Sequence, residues 1–284
     1  MSTAALYVSD LDFTLLDSSG QLSATTRLAL SSWLTDELLF TVASARAWTS
    51  IRDVLDGIAL PLPAITNNGA CVTHLAAGRH LDICSLPAPL AREVYRMLDE
   101  AALHPLAAST TGDADRLRFG KQANAGIAAY FADRTERGDP RLRSSEPPHA
   151  ALDEQVLGLT VIAQSAEVQG AIAKLQTHFA GQLQWSHMTA TMHPGFEWLS
   201  IGANGATKGD ALLRLKVLAG LDNHHTVAYG DDLQDLSLLA AADHAVAVAN
   251  AHPRVRDAAA SLTARHDQDG VVRHIAQHSK RMLP

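Results

Sequence analysis

The chain has 284 residues, 47% hydrophobic and 19% charged, with a formal net charge of −7. It is long enough for one large domain or two ordinary ones. An acidic balance without a Lys/Arg-rich run excludes a general nucleic-acid surface, so any phosphate must meet a local positive site. Two cysteines, Cys71 and Cys84, exclude a disulfide framework or a zinc site of cysteines. Without a basic-then-apolar leader or a run of about eighteen apolar residues, a cytoplasmic protein with no membrane partner is expected.

Leu6–Val8 is a short apolar run that predicts a buried strand, and it stops at Asp10-Leu11-Asp12-Phe13-Thr14. Asp17-Ser18-Ser19-Gly20 is a turn cluster, and Ser23 is a candidate N-cap for a helix with Leu30, Trp33 and Leu34 on its apolar face. Leu38–Ala43 predicts a second buried strand, ending at Ser44-Ala45-Arg46 before a helix with Ile51, Val54 and Leu55. Ala64–Thr66 is a third strand, ending in Asn67-Asn68-Gly69-Ala70. Buried strands alternating with helices argue for an α/β fold, a doubly wound parallel sheet.

Near residue 83 the texture changes. Pro87 and Pro89 open a helix carrying Leu90, Val94, Met97, Leu98 and Ala101, and residues 107–150 read as irregular. Val156–Ala163 is an apolar strand, Val168, Ile172, Leu175 and Phe179 mark an amphipathic helix, and Gln182–Trp185 reads as a further strand. This predicts an inserted α+β domain over 86–188, with the α/β core formed by 1–85 and 189–284. The α/β rhythm resumes at about 196 with a strand over Phe196–Ile201, then a helix starting at Lys208. Thr226–Tyr229 is a buried strand ending at Gly230-Asp231-Asp232-Leu233-Gln234-Asp235, followed by a helix with Leu236, Leu239 and Ala240 and a last clear strand over Ala245–Ala249. The 14 histidines are scattered, and the adjacent pair His224-His225 lacks a metal-ligand context.

Asp10/Asp12, Ser44 and Asp231/Asp235 follow buried strands, and Lys208 opens a helix. Each has a plainer reading: Asp10 and Asp12 as a solvated turn, Ser44 as a helix cap, Lys208 as a surface charge, Asp231 and Asp235 as helix N-terminal acids. In a parallel sheet, however, all the strands' carboxyl ends share one edge, where these groups converge. Two carboxylates two residues apart repel unless a cation or a proton relieves them, and Mg²⁺ is the usual hard-oxygen partner. Phosphate-ester hydrolysis needs such a set: a carboxylate nucleophile, charge neutralisation, and an acid for the leaving oxygen.

The pattern resembles the haloacid dehalogenase (HAD) superfamily, and more narrowly its Cof-type, sugar-phosphatase-like branch, which carries a large cap of the C2 type on a Rossmann-like core. Asp10-Leu11-Asp12-Phe13-Thr14 is similar to the family's DxDxT motif. The resemblance implies Asp10 as nucleophile, Asp12 as general acid/base whose backbone carbonyl also meets the metal, and Thr14 as support. It further implies Ser44 and Lys208 on phosphate, Asp10, Asp12 and Asp231 around Mg²⁺, and Arg46, Asn68, Gln234 and Asp235 in support. Val248-Ala249-Asn250-Ala251 and Asp269-Gly270-Val271 resemble the branch's tail. Phe13 stands where Gly is commoner, Ala45 replaces a Gly, and Gln234 replaces an Asn.

The expected activity is Mg²⁺-dependent hydrolysis of a small phosphorylated metabolite, sugar phosphates foremost, through an aspartyl-phosphate. The alternatives are a phosphomutase or sugar-conjugate phosphatase on the same fold, and a non-catalytic binding or regulatory protein. Arg116, Arg118, Lys121 and Asn124 are the substrate-contact candidates in the inserted segment.

Overall fold

A computed structural model describes residues 4–112, 114–189 and 195–283. Two compact units emerge, one made of the chain up to Asp82 and from Thr207 onward, the other of Ile83–Ala206. The chain opens with β1 (Leu6–Ser9), α1 (Ala24–Thr35), β2 (Phe40–Val42), α2 (Trp48–Val54), β3 (Ala64–Thr66), β4 (Cys71–His74) and β5 (Arg79–Ile83). The second unit continues with α3 (Ala88–Glu100), β6 (Leu106–Thr110), β7 (Asp115–Arg118), α4 (Ala125–Glu136), β8 (Gln155–Gln164), α5 (Ser165–His178), β9 (Leu183–Thr189) and β10 (Phe196–Ala203). The first unit is then completed by α6 (Lys208–Ala219), β11 (Thr226–Gly230), α7 (Leu236–Ala241), β12 (His244–Val248), α8 (Pro253–Ala258), β13 (Ser261–Thr263) and α9 (Gly270–Ser279).

The first unit is built on a five-stranded sheet in the order β13-β12-β11-β1-β2. Every pairing in it is parallel. Every residue of β1, β2 and β11 is buried, as expected of strands covered on both faces. From β1 the chain steps one way to β2, whereas β11, β12 and β13 run the other way. The switch point therefore lies between β1 and β11, where crevices form outside the strands' carboxyl ends. Helix starts follow local chemistry: Ser23 Oγ accepts from Thr26 N at 3.0 Å, and Thr207 Oγ1 accepts from Asp210 N at 3.1 Å. Gly220, at φ 68°, closes α6 in the left-handed conformation.

Beside this sheet, β3, β4 and β5 form a small three-stranded sheet in which β3 and β4 run antiparallel. The sequence reading stopped at β3 and did not anticipate β4 or β5.

The second unit holds a five-stranded sheet in the order β7-β6-β8-β10-β9, antiparallel throughout. Two expectations need correction here. Residues 107–150 are not irregular: they contain most of β6 and all of β7 and α4, and Leu106, Leu117, Phe119 and Ile127 bury against Ile162. The strand at 196 does not restart the parallel core. β10 pairs antiparallel with β8 and β9, so the chain re-enters the first unit at Thr207 rather than at residue 189. Strand hydropathy reports burial and not the identity of the neighbouring strand, so pattern alone placed this return too early.

Candidate active site

Register brings the site together. Ser9 pairs with Tyr229, and Asp10 N donates to Tyr229 O at 3.0 Å, so Asp10 leaves β1 beside the end of β11 that leads into Asp231. Ser9 also pairs with Val42, which places the Ser44 loop off the neighbouring β2. Asp10, Thr14, Ser44, Lys208 and Asp235 are all at least 95% buried.

Lys208 is the hub. Its Nζ donates to Asp10 Oδ1 and to Asp235 Oδ1, each at 2.6 Å. Asp235 Oδ2 in turn accepts the backbone N–H groups of Asp231 and Asp232, both at 3.0 Å. Thr14 Oγ1 donates to Asp231 Oδ1 at 2.8 Å. Burial, followed by the negative charge of Asp235, pushes Asp10 well above the ordinary carboxylate range despite the lysine. Burial and Asp235 likewise raise Asp231 to about 7. Burial opposes the charge on Lys208, but Asp10 and Asp235 outweigh it and hold the ammonium above its usual value.

Carboxylate oxygens of Asp10, Asp231 and Asp235 lie within 4.8 Å of one another. Three buried carboxylates face one ammonium, and the second oxygens of Asp10 and Asp231 carry no hydrogen bond among the described residues. A hard divalent cation with oxygen ligands fits this donor set. Asp235 is already engaged by Lys208 and two backbone donors, so Asp10 and Asp231 are the side chains left to hold it.

Asp12 points elsewhere. Arg46 Nε donates to Asp12 Oδ2 at 2.8 Å and Arg46 Nη2 to Oδ1 at 2.5 Å, a two-pronged grip on a partly exposed carboxylate. Ser44 Oγ accepts from Arg46 N at 3.2 Å, and Asn68 N donates to Ser44 O at 3.0 Å, which ties the two loops together. Asn68 Oδ1 is buried without a hydrogen-bond partner among the described residues, so this loop retains polar capacity beside Ser44. Gln234 is half-buried, and its amide forms no hydrogen bond among the described residues.

The Asn67-Asn68-Gly69 turn has a steric purpose. All three residues have positive φ, 51°, 56° and 97°, which Asn and Gly tolerate best. A Cβ on Gly69 would stand 2.2 Å from the Thr207 carbonyl, so only glycine lets the start of α6 come this close and carry Lys208 inward. Phe13 also has positive φ, 57°, in keeping with the Gly commoner at this point of the resembled motif. Asn250 secures it, with Nδ2 donating to Phe13 O at 2.8 Å and Oδ1 accepting from His266 N at 2.9 Å. The sequence reading noted Asn250 only within its tail pattern and assigned it no part in the site.

The substrate-contact candidates of the second unit are mostly committed internally. Arg118, 1% exposed, donates to Glu154, Glu146 and Ser109, and Arg116 also pairs with Glu154. Asn124 caps α4 through Ile127 N at 2.9 Å and donates to Ile162 O at 2.8 Å. Lys121 is exposed. No helix among the described residues is long and apolar enough to cross a membrane.

A family model described as haloacid dehalogenase-like hydrolase matches residues 7–275. HMP-PP phosphatase of Serratia proteamaculans is 25% identical over 273 residues, covering 95% of this chain and 93% of its own. Pyridoxal phosphate phosphatase YbhA of Escherichia coli is 24% identical over 281 residues, covering 97% and 99%. A crystal structure from Thermotoga maritima matches with TM-score 0.77 at 21% identity, covering 97% of each chain. A haloacid dehalogenase-like hydrolase from Bacteroides thetaiotaomicron matches with TM-score 0.76 at 18% identity, covering 97% of this chain and all of its own.

Proposed function

The chain belongs to the haloacid dehalogenase-like hydrolase family, a phosphoric monoester hydrolase like its named relatives, and from that premise we propose that it is a Mg²⁺-dependent phosphatase acting through an aspartyl-phosphate. The observation that carries this reading is the buried Asp10–Lys208–Asp235 chain with Asp231 beside it. Such an arrangement makes a poor structural core but a good phosphoryl-transfer site.

Asp10 supplies the nucleophilic oxygen: a new O–P bond forms as the bond from phosphorus to the leaving oxygen breaks. Lys208, held against Asp10, neutralises the incoming phosphoryl oxygens, and the Ser44 hydroxyl donates to them. Asp12 gives its proton to the leaving alcohol, then takes one from the water that attacks the phosphoryl-Asp10, regenerating the carboxylate and releasing phosphate. Arg46 holds Asp12 through both oxygens as the ionised base, and one of the two hydrogen bonds opens when Asp12 carries the proton for the leaving alcohol. Asp10 and Asp231, with the Asp12 backbone carbonyl, would hold Mg²⁺, which supplies charge neutralisation for the approach of carboxylate to phosphate.

Substrates are small phosphorylated metabolites, with sugar phosphates and heteroaromatic alcohol phosphates such as pyridoxal phosphate as the classes to test. The experiment is phosphate release from an aryl phosphate and a panel of both classes, with Mg²⁺ or with excess EDTA. Release that needs Mg²⁺ and disappears in Asp10→Asn supports the proposal. Release undiminished by EDTA, or retained by the folded variant, overturns it.

A further inference from the structure

The histidines that meet in space are far apart in the chain. His244 opens β12, while His274 and His278 sit one turn apart on α9. One ring nitrogen from each lies within 4.8 Å of the others. The His274 and His278 rings stack with centroids 3.9 Å apart, and His244 lies 6.1 Å and 6.0 Å from them. His274 is 95% buried, yet its Nε2 has no hydrogen-bond partner among the described residues. Leaving a buried ring nitrogen unpaired is costly, and it calls for an unseen partner.

We propose that His244, His274 and His278 form a second metal site, which takes one imidazole-preferring divalent transition ion, Zn²⁺ being the type case. Two histidines at i and i+4 on one helix face can chelate one ion once their rings turn out of the stacked arrangement to point at it, and His244 adds a third ligand from the sheet. A hydrogen bond at one nitrogen of each ring leaves the other nitrogen for the ion. His278 Nδ1 donates to His274 O at 3.2 Å, which leaves the lone pair on Nε2. His274 Nδ1 lies 2.9 Å from the Tyr229 hydroxyl, and donation to that oxygen leaves Nε2 with its lone pair as well. His244 Nε2 is anchored at 2.9 Å to Ser261 Oγ, the first residue of β13. His278 is exposed and His244 half-buried, which gives an ion and its water ligand a way in.

The site is distinct from the carboxylate cluster. His244 pairs with Val227 near the start of β11, whereas Asp231 follows the end of that strand. Neutral nitrogen ligands select a borderline-soft ion, and the carboxylates select a hard one, so the two sites accept different metals. Bound metal would clamp α9 to β12.

The test is a Co²⁺ titration of the full chain, free of any polyhistidine tag, with Mg²⁺ in excess to fill hard-oxygen sites. Expected is an intense visible band of low-coordinate, nitrogen-ligated Co²⁺ that saturates at one equivalent and is displaced by Zn²⁺. His278→Ala, which removes an exposed ring, and His244→Ala should each weaken binding by at least about tenfold. Both should keep the far-ultraviolet circular dichroism and Mg²⁺-dependent phosphate release of the parent. Asp231→Asn should keep the band. No band in the parent, a band that survives both histidine substitutions, or one lost only in Asp231→Asn overturns the proposal.

Discussion

Arg46 holds both carboxylate oxygens of Asp12, at 2.8 Å and 2.5 Å, across a gap of 34 positions in the chain. Burial weakens the guanidinium's charge, but the hydrogen bonds to Asp12 outweigh it and raise Arg46 above its usual value. A lysine would meet the same carboxylate as a point charge and lose the fork. Arg46→Lys should therefore lower kcat by about tenfold to a hundredfold, a part of the gain that a positioned acid/base supplies. The loss should be larger for alkyl phosphates, whose leaving oxygen needs a proton, than for aryl phosphates. Equal losses on both would remove Arg46 from the orientation of Asp12.

Asp10→Asn should reduce turnover by at least about a thousandfold, as loss of a nucleophile does. The same variant should be at least as stable as the parent without metal. Asp10 is raised well above its ordinary pKa by burial and by Asp235, so its charge opposes folding at neutral pH, and the neutral amide removes that opposition. Urea midpoints in EDTA are the measurement, and a strongly destabilised variant would mean that the Lys208 pairing outweighs burial.

Lys208→Met has the opposite sign. It leaves Asp10 and Asp235 buried and facing each other without their shared ammonium. The expected cost is about 3–5 kcal/mol, read from urea unfolding, together with loss of phosphate release. Pairing it with Asp10→Asn should recover part of the stability and none of the activity.

The stability that Asp231 contributes without metal should fall as pH rises. Asp231, at about 7 in the folded chain, sits above its unfolded value, and Asp10 is raised as well. A raised group's contribution is fully present below the unfolded pKa and is lost as pH climbs through the folded one. His274, lowered to about 4 by burial, works in the opposite direction over the same window, so the Asp231 effect is read as a difference: the stability of the parent relative to Asp231→Asn in EDTA should drop between about pH 4 and pH 7, by an amount on the order of a few kcal/mol. Saturating Mg²⁺ should flatten the profile. A parent-minus-variant difference that rises over that window would contradict the raised value of Asp231.

Gly69→Ala should destabilise the protein and displace Lys208, because the added Cβ overlaps the Thr207 carbonyl and the residue already has φ 97°. A loss of about 2 kcal/mol or more and a kcat reduction beyond that of a remote loop substitution are expected. Unchanged kcat would show that the α6 start need not approach so closely.

By itself the sequence determined the parallel α/β core and the places where candidate groups leave its strands. Buried parallel strands read as continuous apolar runs, and their carboxyl ends must share one edge, so Asp10, Ser44 and Asp231 were legible as neighbours while distant in number. Caps such as Ser23 were also local and visible. The tertiary structure alone decided what depends on a partner far along the chain. It turned Asp12 towards Arg46, brought Gly69 against Thr207, gave Arg118 to Glu154, and gathered His244, His274 and His278. It also gave β10 to the antiparallel sheet. The physical reason is common to all of these: hydropathy records how deeply a residue is buried, whereas pairing, steric approach and ligand convergence depend on which surface meets it there.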